Sequence, residues 1–436
     1  MRWAADYALL PGGLAAGVVI DVADGRFSAI TAGGDAAGAS RLPGVVLPGF
    51  ANVHSHAFHR ALRGRTHRGA TFWAWRERMY ALAQRLDPDS LLALARATYA
   101  EMALAGVTAV GEFHYLHHAP GGARYADPNV MGEALGQAAA DAGIRLTLLD
   151  TCYLAGGLDG TGHLPLDRMQ RRFSDGDAGA WAARMAGLRE TPGMRVGAAI
   201  HSVRAVPRPD LAGVAEAAAG RPLHVHVSEQ PAENDACQAR YGCTPTELLA
   251  SAGVLGPATT VVHATHLTGP DIALLGGTRT TACLCPTTER DLGDGIGPAR
   301  ALLDSGSPLS LGTDQHAVID MIEEARAMEM HERLRSLRRC RFRPGELLAA
   351  LANHAAIGWP EAGRLEPGCR ADLVAIGLDT VRTVGAAPDQ VLAAASAADV
   401  DTVLVDGRPV VQGGEHVLGD VAAAMRAALG ALRESA

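Results

Sequence analysis

From residue 107 to residue 314 the apolar and polar positions repeat one unit. A helical stretch closes on glycine or a polar turn, and a short, almost wholly apolar run follows and stops at a polar residue. The runs lie at 107–113, 144–150, 194–202, 222–229, 259–266, 278–286 and 308–314. Helical stretches at roughly 128–142, 177–189, 209–219, 244–252, 268–275 and 298–305 separate them. An earlier helix is expected after Asp87-Pro88, a capping residue followed by Pro in the first turn, with its end at Gly106. Near-continuous apolar strands alternating with helices indicate a parallel sheet covered on both faces. With Val45–His54 as the first strand there are eight such units, which favours a (β/α)8 TIM-like barrel over an open doubly wound sheet.

The two ends read differently. Residues 1–44 form short strands with Gly-rich turns, and the chain from Val374 onward is strand-like again, with Asp406-Gly407 as a hairpin turn. Both ends lack reactive clusters. The expected fold is therefore α/β: a barrel over 45–365 and a small β-sandwich domain built from 1–44 and 366–436. Arg60–Tyr80 reads as a loop rich in Arg and aromatics, and 319–358 as helical.

Composition narrows the function. The chain has 436 residues, 48% hydrophobic and 20% charged, ample for a large core. A net charge of −8 leaves no electrostatic footprint for nucleic acid. The Arg-rich segment 323–343 is balanced by Glu323, Glu324, Glu329 and Glu332 and reads as a solvated helix face or subunit contact. No apolar run reaches the ~18–20 residues of a membrane span, and no signal peptide is apparent, so a cytoplasmic location is expected. The seven Cys are scattered and do not suggest a disulfide framework. All 39 basic residues are Arg. That excludes Schiff-base chemistry, a phosphate-loop lysine and a carboxylated lysine bridging two metals.

In a barrel of this kind, chemistry sits at the C-terminal strand ends. Those ends here carry His54/His56, Glu112/His114, Asp150, His201, His226/Glu229, His263/His266, Cys283/Cys285 and Asp314. His54 and His56 stand at i and i+2 of one strand, so both point the same way. A plausible site places His54, His56, His226 and Asp314 around one zinc, with water in an open position. Zinc would lower the pKa of that water to about 7. Glu229 could carry a proton from the water to a leaving nitrogen, His263 could polarise the substrate, and Asp314 could assist deprotonation. Iron suits the same donors. Cys283 and Cys285 read as buried strand residues, His117, His118 and His331 as surface residues, and 293–297 as a plain loop.

These motifs, HSH, HVHVSE, VHATHL and SLGTD in that order, resemble the amidohydrolase superfamily in its mononuclear-zinc deaminase branch. FWAWRERMYALAQRL (72–86), GEFHYLHH (111–118), HSVRAV (201–206) and CLCPTTERDLGDGIGP (283–298) are similar to the formimidoylglutamate deiminase family within it. The resemblance implies hydrolysis of N-formimidoyl-L-glutamate to N-formyl-L-glutamate and ammonia, in histidine degradation. It implies one Zn2+ per subunit, a homodimer, and a small-molecule substrate with two carboxylates rather than nucleic acid or membrane. It places substrate contacts on Arg76, Tyr115, His201 and Arg204. It also puts His59 where the family usually carries Gln, which would bring a titratable group to the pocket. A deaminase of another amidine, a nucleobase or an aromatic amine is the alternative. A metal-binding scaffold without turnover is the third reading, and the presence of both Glu229 and His263 argues against it.

Overall fold

The computed structural model describes residues 1–67 and 72–434. Eight parallel strands form one sheet in sequence order: Phe50–Ser55, Val107–His114, Arg145–Cys152, Met194–Ile200, Leu223–Val227, Thr259–His263, Thr281–Leu284 and Leu309–Leu311. The sheet closes where Ser55 bridges Asp314 in parallel. At that seam the Asp314 N–H donates to the His54 carbonyl at 3.0 Å and the His56 N–H to the Asp314 carbonyl at 3.1 Å. Helices follow the strands, and the (β/α)8 barrel is the fold.

The chain ends build the second domain. Arg2–Leu10, Gly13–Ala23, Arg26–Ala32 and Ser40–Pro48 share an eight-stranded sheet with Leu373–Ile376, Val400–Val405, Arg408–Gln412 and Glu415–His416. Its core includes Trp3, Ile20, Phe27, Leu42, Leu373 and Leu404.

Three expectations about the course of the chain need correction. The apolar run beginning at Val45 is two strands, not one. Val45–Pro48 pairs with Leu373–Ile376 in the β-domain, and the barrel begins at Phe50. Gly49 divides them because a Cβ there would meet the Thr108 side chain at 2.4 Å, so only glycine passes. At the other end, helix Val421–Glu434 packs on the barrel helix Pro88–Leu104 rather than on the β-domain, burying Met425, Ala428 and Leu432. The stretch Arg60–Tyr80 is not one loop. Ala57–Leu62 is a 3-10 turn and Phe72–Ala83 a helix that buries Trp75, Met79, Tyr80 and Ala83 along one face, while 68–71 lie outside the described residues.

The helix after Asp87 forms as read. Asp87 accepts the Ser90 N–H at 2.8 Å and Pro88 opens the first turn. Glu324, Glu329 and Glu332 are buried, not solvated. Glu324 accepts the Thr287 N–H at 2.9 Å at the start of helix Pro286–Leu292, which follows the seventh barrel strand.

Candidate metal and catalytic site

The strand ends bring His54, His56, His226 and Asp314 together. His54 Nε2 lies 3.1 Å from His226 Nε2 and 3.2 Å from Asp314 Oδ1, and His56 Nε2 lies 3.4 Å from the same oxygen. Two of the imidazoles have a fixed tautomer. His56 Nδ1 is 2.8 Å from the Phe113 carbonyl and His226 Nδ1 is 2.8 Å from the His201 carbonyl. A carbonyl only accepts, so Nδ1 carries the proton in both and each Nε2 presents a bare lone pair. Burial drives His54 down to about 3 and lowers His56 and His226 as well, so all three stay neutral. Burial would raise Asp314, but the hydrogen bond from His54 and the nearby positive charge of His263 hold it well below the usual carboxylate range. At most one proton, on His54 Nε2, lies among these nitrogens and the carboxylate at 3.1–3.4 Å, so the lone pairs of His56, His226 and Asp314 converge with too few protons between them. The donor set therefore fits a divalent metal of the zinc or iron class.

His263 also offers a nitrogen within 4.8 Å of His54, His226 and Asp314. It is a poor ligand. Burial opposes its charge, but Glu229, Glu289 and Asp314 together push it up to about 10, so it holds its proton. Its Nε2 is 3.7 Å from Glu229 Oε1 and its Nδ1 is 3.6 Å from Glu289 Oε1. His59 is committed elsewhere: its Nε2 is 3.0 Å from the Tyr115 hydroxyl.

Several of these residues hold left-handed backbone: Ser228 at φ +52°, His263 at +68°, Ala264 at +50° and Asp314 at +43°. Each costs on the order of 1–3 kcal/mol for a non-glycine residue. Such conformations persist where the surrounding structure over-determines them, here at strand ends that aim side chains across the barrel mouth.

His56, His226 and Asp314 open into a cavity of about 60 Å³ that His59, Arg76, Tyr115, His201, Arg204, Glu229 and His263 also line. The expected catalytic and substrate-contact residues thus line one cavity, and His54 lies behind His226 and Asp314, 3.1 Å and 3.2 Å from them. Arg76 comes from helix Phe72–Ala83, its guanidinium 4.5 Å from the Trp73 ring centroid. The ring of His201 packs against those of Tyr153, His226 and Tyr115.

Other strand-end residues do not reach the pocket. Asp150 binds Arg184 at 2.8 Å with both oxygens, in a buried network with Asp175. His117 and His118 are buried rather than on the surface. His117 bonds the Thr151 carbonyl at 2.8 Å and His118 lies 3.0 Å from Asp175, because the segment after the second strand folds inward under the following loop. His331 is half-buried. Cys283 and Cys285 are free and buried, as read. Glu112 supports the site from behind: it accepts the Ser55 hydroxyl at 2.6 Å and the Ala57 N–H at 2.7 Å, and burial drives it up to about 8. Ser55 in turn contacts His316 at 3.2 Å.

Glu289, Glu233, His316 and Tyr153 are the functional neighbours that sequence reasoning missed. Glu289 stands four residues after Cys285, on the helix following a strand whose end had already been marked. That position was its available signal.

Residues 45–410 match the model of the amidohydrolase family. The chain is 39% identical to formimidoylglutamate deiminase of Pseudomonas aeruginosa, over 94% of this chain and 95% of that one. It is 31% identical to 8-oxoguanine deaminase of the same organism, over 83% and 81%. Among solved structures, an amidohydrolase from Brucella melitensis superposes with a TM-score of 0.92 at 34% identity, covering 99% of both chains. The chain belongs to the amidohydrolase family and is a hydrolase acting on carbon–nitrogen bonds.

Proposed function

We propose that the protein hydrolyses N-formimidoyl-L-glutamate to N-formyl-L-glutamate and ammonia, with one zinc held by His54, His56, His226 and Asp314. One observation carries the substrate: the pocket that holds the hydrolytic groups also presents two guanidinium groups, Arg76 and Arg204, from separate elements. A substrate with two carboxylates matches two fixed cations, whereas a neutral ring does not need them. The similarity to the Pseudomonas deiminase supports the same reading.

The metal, when bound, supplies Lewis acidity and a water of lowered pKa. The side chains do the rest. Glu229 stands at the pocket edge beside His263, placed to take a proton from the attacking water and pass it to the amidine nitrogen that leaves as ammonia. His263, protonated between Glu229 and Glu289, is placed to donate to the water oxygen as it adds to the formimidoyl carbon and charge gathers on it. Asp314 takes the remaining hydroxyl proton as the carbon–nitrogen bond breaks and passes it to the same nitrogen, so that both protons of the water leave with the ammonia. Arg76, Arg204 and Tyr115 orient the glutamate part so that the formimidoyl carbon faces these groups.

Ammonia release from N-formimidoyl-L-glutamate by the zinc-loaded protein tests this, beside the N-formimidoyl-L-aspartate analogue and 8-oxoguanine. Turnover of the glutamate compound alone, lost on chelation and restored by Zn2+, is expected. Release that survives complete metal removal, or turnover of the purine instead, refutes the proposal.

A further inference from the structure

Arg204 lies between two carboxylates. Its Nη2 is 3.5 Å from Glu229 Oε2, and its Nε is 3.5 Å from Glu233 Oε2. Both separations exceed the ~2.7–2.9 Å of a close charge-assisted bond. The guanidinium is shared between the two and gripped by neither. Glu229 lines the pocket and also approaches His263, whereas Glu233 does not line it. Glu233 is only 2% exposed, in the first turn of helix Pro231–Tyr241, and neither of its oxygens has a hydrogen-bond partner of ordinary geometry. Among the described residues, Arg204 is the cation within ion-pair reach of it. A buried carboxylate with so little compensation is costly to keep and calls for a role.

The geometry of the guanidinium supplies one. It is a rigid planar fork, so a carboxylate behind Nε fixes where both Nη groups point. We propose that Glu233 is a positioning residue that anchors the Nε side of Arg204, so that a substrate carboxylate takes the Nη side and displaces Glu229 from it. The inference rests on the reading of Arg204 as a carboxylate ligand and Glu229 as the proton carrier. Recognition of the substrate and release of Glu229 for its catalytic task then become one event. A formimidoyl compound without that carboxylate leaves Glu229 tied to Arg204 and loses turnover as well as binding.

The test uses the metal-loaded protein with glutarate as the binding probe, by calorimetry, and kcat and KM on N-formimidoyl-L-glutamate. Glu233→Ala is expected to raise both the glutarate Kd and the KM about tenfold or more, with kcat held within about threefold. E233D, which keeps the charge but withdraws it by one methylene, is expected to behave like E233A. E233Q, which retains an oxygen to accept from Nε–H, is expected to recover most of the loss. Bound metal should match the wild type and the melting temperature should not fall below it, which excludes misfolding as the cause. Unchanged glutarate affinity in E233A and E233D overturns the inference, as does a fall in kcat at constant KM. Failure of the underlying substrate reading is distinguishable: the wild type itself would then neither bind glutarate nor release ammonia from this substrate.

Discussion

Glu229 and His59 show how burial and partners decide what a single side chain does. Glu229 stands between Arg204 and His263 at the pocket edge. Glu229→Gln keeps the shape and removes the proton carrier, so kcat for ammonia release should fall by roughly 10²–10⁴ with little change in KM, read from steady-state kinetics. His59 replaces an amide with a titratable ring, yet burial presses it well below the ordinary imidazole range. It stays neutral and bonded to Tyr115. H59Q should therefore leave the pH–rate profile between pH 6 and 8 unaltered, and an added ionisation in the wild type alone would contradict this. Asp175 bears on stability rather than turnover. Burial raises its pKa, but His118, His117 and Arg184 outweigh burial and hold it below the usual carboxylate range. Its folded pKa lies below the unfolded value of about 3.9, so its contribution is present above that pH and is lost as pH falls further. Melting temperature should drop steeply below about pH 4, and Asp175→Asn should flatten that part of the curve while lowering stability at pH 7.

At the scale of elements, the barrel was legible because each apolar run is followed by a helix with its own stop. The seven runs after residue 107 all contain barrel strands. The errors cluster where one pattern serves two partners. Val45–Pro48 is as apolar as the strand it precedes, and only Gly49, squeezed against Thr108, marks the change of sheet. Helix Phe72–Ala83 escaped notice because three charged residues, Arg76, Glu77 and Arg78, separate Trp75 from Met79 along it. Its neighbour Arg172 is fully buried and donates to the carbonyls of His118, Ala83 and Leu86, tying the end of that helix to the segment after Tyr115. Its partners are backbone carbonyls from distant segments, which no sequence pattern announces. The metal donors were readable from i, i+2 spacing and strand-end position. Glu233 was not, because it acts from a helix through another side chain, and Glu289 had only its place after the Cys285 strand end to mark it. Gly312, just beyond the eighth strand, gives an element-level prediction. A Cβ there would meet His54 Cβ at 2.7 Å and its carbonyl oxygen at 2.8 Å. G312A should push the first and eighth strands apart, at about 1–3 kcal/mol in denaturant unfolding, and should weaken metal retention in dialysis against chelator.

Across the whole molecule, the two domains are tied at the end of the barrel away from the pocket. Arg145 opens the third barrel strand, is nearly fully buried, and pairs with Asp372 and Asp406 of the β-domain. Without Asp372 the buried guanidinium keeps only the part-exposed Asp406. Asp372→Ala should cost about 3–5 kcal/mol in unfolding free energy, yet leave KM unchanged, as kinetics on the surviving folded fraction would show. The opposite end behaves differently. There the barrel closes through backbone bonds between His54, His56 and Asp314, which are the same residues that offer the metal its donors. The last stitch of the cylinder is thus also the binding site. Occupancy of the site then sets how often the cylinder unzips, and the amide protons of His56 and Asp314 become a clock. Their exchange with deuterated solvent should slow when a cation is held and quicken when it leaves, even under conditions where no substrate is turned over.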